Sequence, residues 1–545
     1  MSAAAAELVV TAMVTKDLLG NEPPNADLRA FYATADSRVV DDAATAVRLA
    51  GAFRRRYRGR VGELCPSEFA RALRSLERIH SRSQRPQQFA HLVATADGSR
   101  HDLRALHQQI EELSARTNEE LLFFLLEWIA LNEGSAAAML AHDELTHYKH
   151  TLRTERRFRP HTLSITEERL LERFRVVGHD AWSRLHGDIL MQLRPRLRGR
   201  PQPLESTLAL LQDPVRSVRR QAARAVSSAL AADPEPRAHI LNVVALEAAL
   251  EDDLRGYDDW LQRRNLENIL SDRAVEGLVT AVEARYHLAH RFVRLKAQLL
   301  GVDRLSDYDR VAPIGDGVTS SWGEARELLI TSYEEFSARA TGLVRRFFVE
   351  GWIDAAPRSQ KVVGAFCSPG TRQTHPVIVL SFHGDRRSVV GLAHEVGHGL
   401  HYLLARRQSF LNARMSPAVT EVAAIFSELL VLRHQLASAA ERDRLHVLIG
   451  ALDDAFATVF RQIAMHRFEA ALHAHRRTEG ELTVDEIGAL WLHHQKSMLG
   501  DGVELSPGYE LWWSYVPHFV ISPGYLYSYA LGYLVAAAAL HQNDE

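Results

Sequence analysis

His394 and His398 stand four residues apart in GLAHEVGHGLH, residues Gly391 to His401, with Glu395 directly after the first. On a helix, positions i and i+4 lie one turn apart on one face, so both imidazoles can reach one ion. That spacing suits two ligands of a zinc ion. Glu395 sits beside the first ligand and can reach a metal-bound water without ligating. A carboxylate so placed takes a proton from the water, while the metal lowers the water's pKa and polarises a carbonyl. The competing reading is a core helix with hydrogen-bonded histidines, because a lone histidine on an apolar helix is more often structural than a ligand.

A catalytic zinc needs a third protein ligand and an open position. The stretch MSPAVTEVAAIFSELL, Met415 to Leu430, offers Glu421. Ser416 and Pro417 form an N-cap and first-turn pair that starts a helix. Glu421 then falls in its second turn, and Glu428 follows seven residues later on the same face. Two carboxylates on an apolar face require partners. Glu421 as metal ligand and Glu428 as acceptor from a ligating imidazole satisfy both, and such support is usual for metal-bound histidine. The alternative is that one of them faces solvent. His401 has the right helical phase, but three imidazoles from one straight helix do not converge tetrahedrally, so it reads as a supporting residue. HDELTH, His142 to His147, spaces its histidines five apart on different faces and is set aside.

Near the C-terminus, WWSYVPHFVISPGYLYSYALGY, Trp512 to Tyr533, gathers His518, Tyr525 and Tyr529. Aromatic stripes are commonly core. The same residues could instead donate hydrogen bonds to a developing oxyanion.

The elements that must position these groups are mostly helical. Apolar residues recur at helical period over about 136–150, 166–191, 205–231, 237–252, 275–300, 323–348, 388–406, 417–438, 441–476, 484–498 and 525–541. Ser388 is the expected N-cap of the His394 helix. ELLFFLLEWIALNE, Glu120 to Glu133, is apolar nearly all round and is expected to be buried. Gly397 and Gly399 weaken helix propensity, yet their small size could admit another chain or a substrate. Two strands are expected, within KVVGAFCS (Lys361 to Ser368) and PVIVLSF (Pro376 to Phe382). Linkers are expected at 193–203, 231–237 and 308–320. LLQDPVRSVRRQAARAVSSAL, Leu210 to Leu230, looks like one HEAT-type helix, but a solenoid needs stacked copies and no second copy is found.

Composition bounds the rest. The chain has 545 residues, 46% hydrophobic and 24% charged, with net charge -3. That size implies more than one core. The near-neutral balance gives no nucleic-acid footprint. Cys65 and Cys367 are the only cysteines, which excludes a disulfide framework and fits a reducing cytoplasm. The first twenty residues lack the basic start of a signal peptide. YLVAAAALHQ is too short to span a bilayer. No membrane partner is expected, and the oligomeric state is left open.

Taken together, HEVGHGLH, TEVAAIFSELL and PHFVISPGYLYSYALG resemble the oligoendopeptidase F branch of the thimet oligopeptidase family of zinc peptidases. The resemblance extends through Arg255–Leu266, Arg291–Asp309 and Trp352–Ser368, and reaches Tyr148–Leu171 and LLFFLLEWIAL. It implies a mainly helical, zincin-type fold enclosing a deep channel, with a small sheet beside the HExxH helix. Residues 1–195 would form one wall and residues 196–545 the catalytic domain. It implies one zinc per chain on His394, His398 and Glu421, with Glu428 behind a ligand and Glu395 as general base. His518, Tyr525 and Tyr529 would bind substrate and the oxyanion, and PVIVLSF would pair with the peptide backbone. Short unstructured peptides would be cut internally. Two positions depart from the pattern: Ala424 where E-x-A-S is usual, and Gly524 where an aromatic is usual. The competing readings are a zinc carboxypeptidase, which needs a cation for the substrate's free carboxylate, and a helical scaffold with a non-catalytic zinc.

Overall fold

The computed structural model describes residues 20–544, apart from 315–318, 359–360, 362–363 and 414. Helices dominate, and the few strands are two or three residues long. Among the described residues no single helix is long and apolar enough to cross a membrane.

The N-terminal helices Ser37–Tyr57, Pro66–Ala96 and His101–Ala130 pack on one another around Phe53, Phe69, Phe124 and Trp128. ELLFFLLEWIALNE lies in the third of these as far as Ala130 and buries Leu121, Phe123, Phe124, Leu126, Trp128 and Ile129, as its all-round apolarity predicts. This core also takes in Leu411, from the loop that follows the His394 helix. A second cluster joins Phe31, Val39, Phe89 and Ile110 to Val377 and Val379 of the sheet. The first described segment reinforces that contact: Asp27 N donates to Gly351 O at 2.8 Å, and Ala355 N to Pro24 O at 2.7 Å.

The sheet beside the His394 helix has three strands, ordered Ile353–Asp354, Val377–Val379, Phe366–Ser368. Of the two expected stretches only their centres are strand, and Ile353–Asp354 escaped notice because two residues carry no periodicity. Val377–Val379 is parallel to Ile353–Asp354 and antiparallel to Phe366–Ser368. Its backbone groups are therefore used on both sides. This corrects the expectation that PVIVLSF pairs with a peptide, because an added strand needs an unpaired edge. The edge strand next to the His394 helix is Phe366–Ser368.

Several expected helices are interrupted where a cap or a turn outcompetes the periodicity. The span 323–348 divides into Trp322–Glu334 and Ala338–Val349, because Ser337 accepts from Ala340 N and starts a new helix. The span 166–191 divides at Gly178, 275–300 at Ala284–Arg285, and 205–231 at Asp213–Val215. The span 136–150 ends as the 3-10 turns Asp143–Tyr148, and 441–476 passes through a π-helical turn at Phe456–Arg461.

Two sequence readings change character. The segment 308–320 is no simple linker: Asp309 is fully buried and pairs with Arg216 and Arg219 at 2.8 and 2.9 Å. These arginines start the helix Arg216–Ala231, so the HEAT-like stretch is a 3-10 turn, Leu210–Gln212, followed by one helix docked by an ion pair. The segment 193–203 contains a two-stranded hairpin, Arg196–Leu197 with Arg200–Pro201.

Three helices converge through small residues. Arg386–Ala405, which carries His394, crosses Pro417–Ser438, which carries Glu421, and the latter packs along Tyr527–Asp544. A Cβ on Gly397 would lie 2.5 Å from Ala423 O and 2.7 Å from Ala424 Cα. A Cβ on Gly532 would lie 2.9 Å from Glu421 Cβ. Gly399 abuts Phe347 in the same way. The helical glycines thus admit the protein's own elements, not a foreign chain. Gly397→Ala is expected to cost about 1–3 kcal/mol by overpacking. Gly391, on the same helix, faces open space. Its alanine variant should gain about 0.5–1 kcal/mol from helix propensity. Denaturant midpoints of the two variants test the contrast.

Candidate metal centre and active site

The His394 helix begins at Asp385, whose carboxylate accepts from Ser388 N and Ser388 Oγ, both at 2.7 Å. Asp385 is thus the cap, and Ser388, the expected one, is a donor in the first turn. A carboxylate reaches the orphan N–H groups and also complements the helix dipole. The Glu421 helix begins as read, with Ser416 in the cap position and Pro417 first. The Ser416 side chain makes no capping bond; Asn268 Oδ1 instead accepts from Ala418 N at 3.2 Å.

These starts bring His394, His398 and Glu421 together, with one ligand atom of each within 4.8 Å of the others. Among the described residues no other His, Cys, Asp and Glu group of three or more meets that condition. HDELTH therefore stays outside any metal site, and His401 does not join the cluster. His394 Nε2 lies 3.6 Å from Glu421 Oε2, and His398 Nε2 3.9 Å from Glu421 Oε1. Ligand atoms on a tetrahedral zinc stand about 3.3 Å apart, given bonds near 2.0–2.1 Å. His394 Nδ1 is taken by Glu428 Oε1 at 2.6 Å, which leaves Nε2 for an ion. Glu421 Oε2 is buried and has no hydrogen-bond partner. The donor set and this orphaned oxygen fit a divalent cation.

Electrostatics agree with that assignment. Burial disfavours charge on His394, but Glu428 and then Glu421 outweigh it and hold the imidazole well above its ordinary pKa. His398 is pushed down to about 3 by burial and by charge on His394, so it is neutral and ready to donate a lone pair. Burial, followed by the neighbouring carboxylates, raises Glu395 to about 7 despite the pull of His394. Its Oε2 is also without a partner. Burial raises Glu421 too.

The C-terminal residues reach the same place. Tyr525 Oη donates to Glu421 Oε1 at 2.5 Å, and His518 Nε2 lies 3.0 Å from Tyr529 Oη. The rings of Tyr525 and Tyr529 are 5.3 Å apart. Burial lowers His518 to about 4, so it is a neutral imidazole at pH 7. The helix starts at Tyr527, so Tyr525 lies on the preceding turn and not on the expected helix. Gly524 has φ +75°, a backbone region closed to an aromatic side chain without strain, and a Cβ there would lie 2.8 Å from Leu261.

The sequence reading missed the residues that hold this turn. Glu469 Oε1 accepts from Gly524 N at 2.9 Å. Arg264 donates to Pro523 O through Nε and Nη2 at 3.3 and 3.1 Å. Asn268 Nδ2 donates to Tyr527 Oη at 2.7 Å. Glu469 is buried, and burial lifts it to about 8. The available signal was a glutamate within MHRFEAALHAH, amid apolar helix residues.

Against this geometry, two family profiles match in chain order: Oligopeptidase F over residues 127–194 and Peptidase family M3 over residues 333–545. The chain belongs to peptidase family M3. It is 25% identical to oligopeptidase PepF of Bacillus subtilis (strain 168) over 499 residues, which is 89% of this chain and 74% of that protein. Group B oligopeptidase PepB of Streptococcus agalactiae is 26% identical over 438 residues, covering 78% of this chain and 72% of that one. The fold also matches that of oligoendopeptidase-F from Enterococcus faecium. That match has a TM-score of 0.70 and 20% identity, covering 94% of this chain and 90% of the other. A peptidase from Chlamydophila abortus aligns with TM-score 0.74 and 21% identity, over 96% and 89% of the chains. This M3 chain is thus a metallo-oligopeptidase by family and by relatives along most of its length.

Two outcomes are expected. Because His394 is held above its ordinary pKa, an ion at Nε2 must displace a proton. Zinc uptake by the metal-free peptidase at pH 7 should release at least one proton per site. Zinc affinity should also rise with pH through neutrality. Calorimetry in buffers of different ionisation enthalpy reads the proton count. Glu469→Ala should lower kcat for peptide hydrolysis by about ten- to a hundredfold with zinc content unchanged, since small misplacements near the chemistry are costly. Glu469→Gln keeps an acceptor for Gly524 N and should retain most activity.

Proposed function

We propose that this M3 metallo-oligopeptidase is a zinc endopeptidase that cuts internal bonds of short, unstructured peptides, with Glu395 as general base. One zinc per chain would be held by His394, His398 and Glu421, and Glu428 would orient His394 through Nδ1. When bound, the ion would supply Lewis acidity that acidifies a water and polarises the scissile carbonyl.

The chain's own groups supply the remaining chemistry. Glu395 accepts the water's proton and delivers it to the leaving amine. A carboxyl lifted to about 7 by burial holds that proton near working pH, as general acid–base transfer requires. Tyr525, which donates to Glu421 in the resting geometry, is placed to turn its hydroxyl toward the oxyanion. His518 and Tyr529 share a hydrogen bond beside it and orient substrate. The edge strand Phe366–Ser368 offers unpaired backbone groups to an extended peptide. A cavity of about 700 Å³ is lined by Tyr402 and Thr420 near the metal residues and by Leu76, Gln84 and Asn118 from the N-terminal helices. That supports residues 1–195 as one wall of the substrate space and residues 196–545 as the catalytic part. Two free cysteines support a reducing, cytoplasmic setting.

The observation that carries this reading is the constellation of half-buried His394 and His398 with buried Glu421, and Glu395 alongside. Glu395→Gln should keep zinc content and lower kcat by roughly 10²–10⁴-fold. Hydrolysis of an internally quenched peptide by that variant at the wild-type rate would refute the assignment of Glu395.

A further inference from the structure

The lining of the cavity of about 700 Å³ has an unusual electrostatic feature. Arg372 and Arg406 both line it. Arg406 Nη2 donates to Thr371 O, and Arg372 Nη2 donates to Gln408 O at 2.8 Å. The two side chains thus brace the turn at 369–372 against the end of the His394 helix. Neither guanidinium forms an ion pair with a carboxylate among the described residues. Each makes one hydrogen bond there, to a carbonyl, although a guanidinium carries five donors; Arg372 is exposed and turns its remaining donors to solvent. Arg406 is half-buried, and burial together with nearby Arg346 works against its charge. Arg175, on the same cavity wall, already faces Asp180 at 3.4 Å, and among the described residues Glu172 is the one carboxylate lining the space. A half-buried cation without a counter-ion is costly unless an anion arrives.

We infer that Arg372 and Arg406 form a carboxylate-binding subsite for the peptide substrate. The inference rests on the peptidase reading above. Arg406 lies eight residues beyond His398 on the same helical path. At 1.5 Å per residue the separation is about 12 Å. An extended peptide spans about 3.3–3.6 Å per residue. The bound carboxylate therefore sits three to four residues from the scissile bond. An acidic side chain and a C-terminal carboxylate offer the same bidentate partner to a guanidinium. The subsite sorts substrates by charge at a fixed distance and acts on binding, not on the chemical step.

Matched quenched peptides test this. One series carries Asp or Asn at each of the third and fourth positions on either side of the scissile bond, and another has a free or an amidated C-terminus. The readouts are kcat/KM with wild type and Kd with Glu395→Gln protein, which binds without turnover. Charge-assisted hydrogen bonds predict a preference of roughly tenfold or more for the carboxylate member of at least one pair, expressed in KM and Kd. An Asp effect identifies a side-chain ligand, and a free-terminus effect identifies the peptide end. Arg406→Gln retains an amide donor for Thr371 O and should collapse that ratio, and Arg372→Glu should shift it toward Lys at the same position. Equal Kd for every pair on Glu395→Gln protein overturns the subsite, as does an unchanged ratio in both arginine variants. Charge-dependent binding without hydrolysis by the zinc-loaded wild type would keep the subsite and refute the peptidase mechanism.

Discussion

Three carboxylates and two imidazoles, two of them buried and three largely so, lie within about two helical turns of one another, and the surrounding fold is arranged to make that tolerable. Unpaired ionised groups in a helical core cost several kcal/mol each. Glu428 is matched by His394, and Glu421 takes a hydrogen bond from Tyr525. What remains is one potential ligand atom each on His394, His398 and Glu421, within 4.8 Å of one another, a set that a divalent ion would complete. The helices come that close only because Gly397 and Gly532 let backbones touch. In a looser core with water-filled gaps the same groups would be hydrated, and their pKa values would relax toward ordinary ones.

The site is assembled from segments distant in sequence, and each has its own anchor. The His394 helix is started by Asp385, and the Glu421 helix is capped by Asn268 from a different part of the chain. Asn268 also binds Tyr527, so one amide ties the start of the Glu421 helix to the helix behind Tyr525. Arg264 and Glu469 hold the intervening turn. The stretch Arg255–Leu266 therefore supports the site without contributing a ligand. Arg216 and Arg219 do comparable work farther off, where they neutralise Asp309.

Local chemistry was legible in the sequence because helical period converts spacing into facing. His394 with His398, and Glu421 with Glu428, could be paired on paper, and Ser416-Pro417 marked a helix start. Contacts across the chain were not legible: Tyr525 meets Glu421 from 104 residues away. Glu469 looked like any helix glutamate, since burial comes from tertiary packing. The sheet order was beyond reach because Ile353–Asp354 has too few residues to show alternation. Helix breaks such as the one at Ser337 were hidden because the apolar stripe continues through the cap. Ser388 was misread because Asp385, three residues earlier, is the better acceptor.

The helix that carries Glu421 is clasped between Gly397, against Ala423 and Ala424, and Gly532, against Glu421 itself, and that clasp would make ion occupancy and native packing a single linked equilibrium. By reciprocity, whatever an ion gains from the closed arrangement of the three helices, the closed arrangement gains from the ion. Loosening the last helix, even at residues far from any ligand atom, would then be felt as weaker metal retention, and saturating metal would in turn tighten the C-terminal end of the chain. A site that holds an ion in this way would act as a thermodynamic sensor of the integrity of the fold that carries it.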